Sequence, residues 1–584
     1  MIPGLVPTKV AFSADRRRHA QWSQALDRLG VEVFPRIRPS FRIGPEDKIF
    51  TIGSCFARNI EEHVSRLGYN VPMLRFAVPE KEWDGGRRNG ILNKYTPTSI
   101  LQELAWAAAI LERGGAWREE DADPMRFDVD GERAIDLNLA QFRTVSRARY
   151  LERRREVFEV MREAFTADVT VITLGQIECW YDLEKERYIQ EAPAVRALAR
   201  HEARFAFKTL EFSEALAAVN ETIALLRRFR PEMKFLVTTS PVPMGRTFNP
   251  DDVITENSYG KSLLRTVAGQ VARTTPGVDY FPSYESVMLS KTWAIWAPDK
   301  IHVTDAFVGK IVGGLVDAYF PDSSPARVLL QRSYTQFRAR DYPAALASIR
   351  EALTHAPEDF ELREQHATVL AQLGETVAAE SEYRALLRER PERADLGHRF
   401  ALLLARGGRD GEALAQAAAA VKRQPDNAEF RVTLSDLLAK VGRFPESAVM
   451  LEAAIALSPA RAQWHRRLSM LRVRLKDWPG ALATSAEAVR LAPQVVEFRL
   501  HQAELLARSG NFAEAEMQFR RAIDQAPAQA EPHFRFSVVL AAHDRMAIAM
   551  VHAREAQRRA PEDARIASWL EQLHRGEASV TIAS

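Results

Sequence analysis

Seven prolines, Pro357, Pro391, Pro425, Pro459, Pro493, Pro527 and Pro561, follow one another at a fixed spacing of 34 residues. A period of that length means stacked supersecondary units, each too small to bury its own apolar face. Small residues keep the same frame. Ala345, Ala379, Ala413, Ser447, Ala481, Ala515 and Ala549 stand twelve positions before each proline. Ala352, Ala420, Ala454, Ala488, Ala522 and Ala556 stand five before it, interrupted by Leu386. Short side chains at fixed points let two helices cross closely, and proline ends the second helix and opens the next unit. Gly374, Gly408, Gly442 and Gly510 mark the turn inside a unit.

The pattern resembles the tetratricopeptide repeat. It implies seven helix-turn-helix units over residues 326–561, with a capping helix and tail at 562–584. Such units stack into an all-α superhelix whose concave side takes a protein or peptide partner. The second-position column of the repeat reads Glu361, Asp395, Glu429, Gln463, Glu497 and Glu531. Acids in a first helical turn complement the helix dipole, which accounts for the column without any ligand. On the alternative reading, Glu361, Asp395, Glu429, Glu497 and Glu531 bind a basic partner in the groove.

Composition narrows the function classes. With 80 Lys and Arg against 77 Asp and Glu, the net charge of +3 gives no electrostatic sign of a nucleic-acid partner. The strongest apolar run, Leu104 to Leu111, is far short of a membrane span. The amino terminus places apolar residues before basic ones and breaks them with prolines, the reverse of a secretory signal, so a cytoplasmic location is expected. Two cysteines in 584 residues make no disulfide framework. No CxxC or HxxxH pattern occurs, and neither a metal nor a cofactor is expected.

Before the repeats, the texture changes to alternating helix and strand signals. Val169–Gly175 and Lys234–Ser240 are short β-branched runs flanked by helical patterns at residues 57–67, 98–112, 148–166 and 212–229. This predicts an α/β fold with a parallel sheet buried on both faces, following an N-terminal extension over residues 1–41. A third strand, Lys48–Ser54, ends in Gly53-Ser54-Cys55-Phe56-Ala57 and opens an amphipathic helix. A hydroxyl there lies at the rim of the sheet, beside helix amides able to receive negative charge. A lone Gly-Ser is also a common turn. Near the far end of the region, Asp299 and His302 stand three apart on a loop entering a helix, where a carboxylate can orient an imidazole as a base. A surface or capping histidine is the plainer account.

Together these segments resemble the GSCFA family, named for that pentapeptide, within the SGNH or GDSL-like hydrolases. Gly90–Leu101, Val171–Asp182, Thr238–Met244, Glu256–Arg265 and Tyr280–Glu285 agree with it in order. The resemblance implies a three-layer α/β sandwich over residues 42–323. It also implies a serine site with Ser54 as nucleophile, His302 as base and Asp299 as its orienting acid. In that superfamily the oxyanion is held by the nucleophile's own amide, a glycine amide and an asparagine. Gly90 fits the glycine. Ile177, in Gly175-Gln176-Ile177-Glu178, stands where the asparagine belongs, so Asn93 or Gln176 would have to supply the side-chain amide. Trp180 and Tyr181 are candidates for a substrate rim, and Arg58 and Lys261 for an acidic substituent or for surface ion pairs. Cys55 and Cys179 fall inside the site segments and also suit small buried positions.

The expected function is hydrolysis or transfer of an acyl group, such as acetyl, on an ester or acylated carbohydrate, with the repeats recruiting a partner. The alternative is an interaction scaffold whose α/β domain has lost efficient catalysis.

Overall fold

The structure, a computed structural model, describes residues 29–79, 82, 83 and 87–575 together with Thr8 and Trp22. Most of the expected extension before Leu29, and the tail after Arg575, lie outside the described residues. The chain divides into two compact units, Met1–Glu375 and Thr376–Ser584.

The first unit carries the strands. In chain order they are β1 Ile49–Gly53, β2 Arg126–Asp128, β3 Arg133–Asp136, β4 Thr144–Ser146, β5 Val169–Leu174, β6 Glu178–Asp182, β7 Arg187–Ile189, β8 Phe205–Thr209, β9 Lys234–Thr239 and β10 Val278–Tyr280. Strands β1, β5, β9 and β10 pair in parallel in that order, with Ile52 opposite Ile172 and Ile172 opposite Val237. Successive side chains point to opposite faces of a strand. Phe50, Ile52, Ile172, Leu174, Phe235 and Val237 therefore enter one core, and Ile49, Val169, Val171 and Leu236 enter the other. Helices Pro97–Glu112, Arg147–Met161, Phe212–Phe229 and Val253–Thr274 cover the first face; Cys55–Arg66 and Asp305–Tyr319 cover the second. This is the expected sandwich, with the sheet dry on both sides.

Two small antiparallel sheets, ordered β2-β3-β4 and β7-β6-β8, are additions the sequence does not announce. Most of their strands are only three or four residues long, and charges such as Arg126, Asp128 and Arg133 interrupt the apolar pattern.

Three repeat helices, Pro325–Arg338, Tyr342–His355 and Phe360–Leu373, belong to the first unit. Arg338 pairs with Glu62 at 2.9 Å, and Arg66 lies 4.4 Å over the Tyr334 ring, so the opening helix of the solenoid is tied to the α/β layer. Gly309 makes room for it: a Cβ there would come within 2.5 Å of Thr335 Cγ2.

The second unit begins with Thr376–Glu389. It continues as helix pairs Ala394–Arg406 with Asp410–Arg423, Ala428–Lys440 with Phe444–Leu457, Ala462–Arg474 with Trp478–Leu491, Val496–Arg508 with Phe512–Gln525, and Glu531–Ala542 with Met546–Arg559, and ends with helix Ala564–Arg575. Every residue in the two periodic small-residue columns is 0% exposed, Leu386 included. The turn inside each unit is left-handed. Gly374, Gly408, Gly442 and Gly510 have φ between 75° and 86°, and Arg340, Lys476 and Asp544 occupy the same position at 61°, 61° and 59°. Among the described residues, no helix is long and apolar enough to cross a membrane.

Candidate active site

Strand β1 approaches β5 so closely at its end that a Cβ on Gly53 would lie 2.1 Å from the Thr173 carbonyl oxygen, and Gly53 takes φ +136°. Only glycine accepts both conditions. The chain then turns into helix Cys55–Arg66 with Ser54 as its N-cap, whose Oγ accepts a long hydrogen bond from the Phe56 N–H at 3.4 Å. The hydroxyl is thus fixed at the carboxyl end of the sheet, and Ser54 is only 2% exposed.

The Asp299–His302 pair is assembled by the loop before helix Asp305–Tyr319. Asp299 Oδ1 accepts from the Ile301 and His302 amides at 2.9 and 3.0 Å, while Oδ2 lies 2.7 Å from His302 Nδ1. The His302 side chain and these amides hold the Asp299 carboxyl well below the usual carboxylate range. An ionised carboxylate accepts only, so Nδ1 carries the proton and Nε2 is left as an acceptor.

Ser54 and His302 line one cavity of about 870 Å³. Ser54 is buried and the His302 side chain is 63% exposed, which places the serine deep in the cavity and the imidazole toward its opening. No hydrogen bond joins them among the described residues. Gly90, Asn93, Gln176 and Trp180 line the same cavity; Tyr181 and Cys179 do not. The alternation along β6 explains this. Tyr181 packs edge-on against Tyr188, whereas Trp180 meets Phe248 at 5.0 Å. Cys179 is buried and its thiol is pushed up to about 11. Cys55 does line the cavity; burial raises its thiol against the opposing pull of Lys261, Arg87 and Arg58.

The expected backbone oxyanion donors are engaged elsewhere. The Ser54 amide donates to the Thr173 carbonyl at 3.1 Å, extending the β1–β5 ladder, and the Gly90 amide donates to Arg87 at 2.8 Å. In the first helical turn the Phe56 amide donates to Ser54 Oγ and the Ala57 amide to the Ser54 carbonyl at 2.9 Å, which leaves the Cys55 amide as the one facing the site without a carbonyl or hydroxyl partner among the described residues. Asn93 has a buried Oδ1 without a partner, and its side chain is hydrogen-bonded to Tyr95. Gln176 is anchored through its own amide to the Tyr95 carbonyl at 2.8 Å, and Ile177 is 2% exposed in the core.

Two buried ion networks fix these walls. Lys94 pairs with Glu103 at 2.9 Å and Arg154 with Glu103 at 3.0 Å; the Lys94 amide also donates to the Gly53 carbonyl at 2.8 Å, docking the Asn93 loop on the end of β1. Glu61 accepts from Thr51 and from Asn89 Nδ2, at 2.9 Å for the latter, which ties helix Cys55–Arg66 to the Gly90 turn.

Cavity walls that the sequence does not flag come from scattered loops. Gln190, Trp83 and Ser240 all line it, and each has a buried polar atom with no partner. Isolated residues on three separate segments carry no spacing signal.

In the repeats, the acidic column is largely neutralised. Glu361 pairs with Arg327 at 2.6 Å, Asp395 with Arg393 at 2.7 Å, Glu497 with Arg466 at 3.0 Å and Arg535 at 2.7 Å, and Glu531 with Arg565 at 3.2 Å. With Glu429, all five lie in the first turn of their helices.

Residues 48–314 match the GSCFA family, and residues 330–394, 432–496 and 469–530 match a tetratricopeptide repeat family. No curated protein matches the chain. Among solved structures, YrrB, described as a TPR protein with an unusual peptide-binding site, is 23% identical with a TM-score of 0.28, over 32% of this chain and 97% of its own. The C-terminal part of a TPR repeat-containing protein from Cytophaga hutchinsonii is 14% identical with a TM-score of 0.37, over 41% of this chain and 98% of its own. A tetratricopeptide repeat protein from Parabacteroides merdae is 14% identical with a TM-score of 0.33, over 43% and 99%. Residues 48–314 of this chain are a GSCFA-family domain, and tetratricopeptide repeats follow it.

Proposed function

We propose that the GSCFA-family domain is a serine esterase or acyltransferase of the SGNH type acting on an acylated, hydroxyl-rich compound such as a carbohydrate ester. The observation that carries this reading is that Ser54 and the Asp299-oriented His302 open on one cavity. Ser54 Oγ attacks the acyl carbonyl as His302 Nε2 takes its proton. The C–O bond to the alcohol breaks, and His302 returns the proton to the leaving oxygen. Water or an acceptor hydroxyl then attacks the acyl-serine, giving up its own proton to His302, and Ser54 is regenerated. The serine and imidazole meet on substrate binding, since catalytic hydrogen bonds often tighten only in the complex. The Cys55 amide, next after the nucleophile, is the first oxyanion donor. With its amide turned over, Asn93 would accept from the Tyr95 hydroxyl and present Nδ2 as a second donor.

The substrate class is supported by the walls. Eight buried polar atoms of cavity residues lack partners: Arg58 Nε and Nη2, Trp83 Nε1, Asn93 Oδ1, Trp180 Nε1, both amide atoms of Gln190, and Ser240 Oγ. Buried polar groups are rarely left unpaired, so such a concentration suits a ligand rich in hydroxyl and carbonyl groups.

A fluorophosphonate probe tests the reaction. The full chain and its Cys55→Ala variant should label, and Ser54→Ala should not. A folded chain that fails to label would favour the second reading, a catalytically inactive domain in an interaction scaffold, which the lack of a Ser54–His302 hydrogen bond supports. On either reading the repeats take a protein or peptide partner. Because four of the five acids of the column, all but Glu429, are paired with arginines, the partner's contacts are sought instead in the groove of about 1380 Å³ that includes Trp478, Phe534, Arg467 and Arg474. The unpaired thiols Cys55 and Cys179 suit a reducing, cytoplasmic location.

A further inference from the structure

Five cationic side chains line the cavity, beside the carboxylates Glu62, Glu178, Glu191 and Asp305. Glu62 is occupied by Arg87 and Arg338, the latter at 2.9 Å. Glu178 accepts from Thr247 at 2.6 Å, from the Phe248 amide at 3.0 Å and from Asn249 at 3.3 Å. Two buried cations remain. Arg58, 2% exposed, has Nη1 2.8 Å from Glu61 Oε1, yet none of its three guanidinium nitrogens makes a hydrogen bond. Glu61 is itself already engaged by Thr51 and Asn89. Lys261, 4% exposed, donates to the Gly175 carbonyl at 2.5 Å and has no carboxylate partner among the described residues. Glu61 balances the charge of Arg58 but leaves its guanidinium with open donors, and a buried ammonium held only by a neutral oxygen, as in Lys261, is costly unless an anion arrives.

Their placement is local to the reacting serine. Arg58 lies one helical turn beyond Ser54, on the same side of helix Cys55–Arg66. Lys261 grips Gly175, where an added Cβ would lie 3.3 Å from the Ser54 Cβ. Both side chains act electrostatically on the Cys55 thiol, which shares the lining of the cavity with them.

We propose that Arg58 and Lys261 form a subsite for an oxyanion group, a carboxylate or phosphate, carried by the substrate close to its scissile ester. A guanidinium presents paired donors to such a group and the ammonium adds a point charge. That the anion belongs to a substrate rests on Ser54 being the nucleophile; the anion site itself does not.

Binding and turnover are tested separately. In the full-length Ser54→Ala chain, which cannot turn over, thermal midpoints are measured with sodium succinate or inorganic phosphate against sodium chloride at equal ionic strength. A saturable rise of about 2 °C or more beyond chloride is expected, as for any ligand that binds only the folded state. Response to succinate alone identifies a carboxylate, and response to phosphate alone identifies a phosphoryl group. Adding Arg58→Gln or Lys261→Gln should abolish the rise; if one of these variants does not fold, the other decides. No rise beyond chloride, or a rise unchanged in the folded variants, overturns the site. In parallel, the unmutated chain should hydrolyse mono-p-nitrophenyl succinate with at least a ten-fold higher kcat/KM than p-nitrophenyl acetate, and Lys261→Gln should bring the two near parity. Where succinate raises the midpoint, hydrolysis without that preference also overturns it. A midpoint rise with no hydrolysis of either ester keeps the anion site and overturns the serine reading.

Discussion

At the scale of single residues, Lys261 is the position where burial most visibly sets chemistry. Burial lowers its ammonium from 10.5 to about 7, only partly opposed by Cys55. Between those two values the unfolded chain binds a proton that the folded chain does not, so stability rises with pH across that window. Below about pH 7 the full cost of the buried charge is present in the fold. Lys261→Met removes the titration. Urea unfolding at pH 7 and pH 10 should show the unmutated chain gaining roughly 3 kcal/mol relative to the variant over that interval, because each tenfold change in proton affinity between the two states is worth about 1.36 kcal/mol. A parallel pH dependence for the two proteins would show that Lys261 is ordinarily solvated. The sequence offers Lys261 only as a basic residue in a matching segment. Its burial depends on Gly175 and on the packing of helix Val253–Thr274 against the sheet, contacts that no local pattern encodes.

At the scale of elements, the repeat was legible because one physical need recurs at a fixed interval. The alanine columns and the terminal prolines state where helices cross and stop, and helices such as Phe212–Phe229 outside the repeats follow equally clearly from their periodicity. The turn was only partly legible. Glycine marks it in four units, but Arg340, Lys476 and Asp544 take the same left-handed conformation without glycine's freedom. For a side chain with a Cβ that conformation costs about 1 kcal/mol or more. Lys476→Gly should therefore raise stability by about 0.5–1 kcal/mol, with a smaller gain for Asp544→Gly because aspartate tolerates the conformation better. Chemical denaturation of the full chain measures both. A loss of stability in Lys476→Gly would mean that the side chain contributes more than the turn costs. The short strands β2, β3, β4 and β7 stayed hidden for the opposite reason, since each is too brief to establish a period of two.

At the scale of the whole molecule, the turn Pro321–Pro325 suggests a division between α/β domain and solenoid, yet the compact unit runs on to Glu375. The physical reason is the first repeat helix, Pro325–Arg338. It brings Arg338 to Glu62 and into the wall of the cavity, Tyr334 under Arg66, and Thr335 into the space left by Gly309. Removing it would uncover the apolar side of helix Asp305–Tyr319 near Gly309, strip Glu62 of one of its cations and open the cavity wall. A chain ending at Ser323 should therefore unfold at a lower temperature than one ending at Glu375, and lose more of any ester hydrolysis. If the two shortened chains melt alike and retain equal activity, the first repeat is only attached to the α/β layer. If the shorter one loses activity while melting as high as the longer, Arg338 acts on the cavity directly rather than through stability, and Arg338→Ala in the full chain should reproduce that loss.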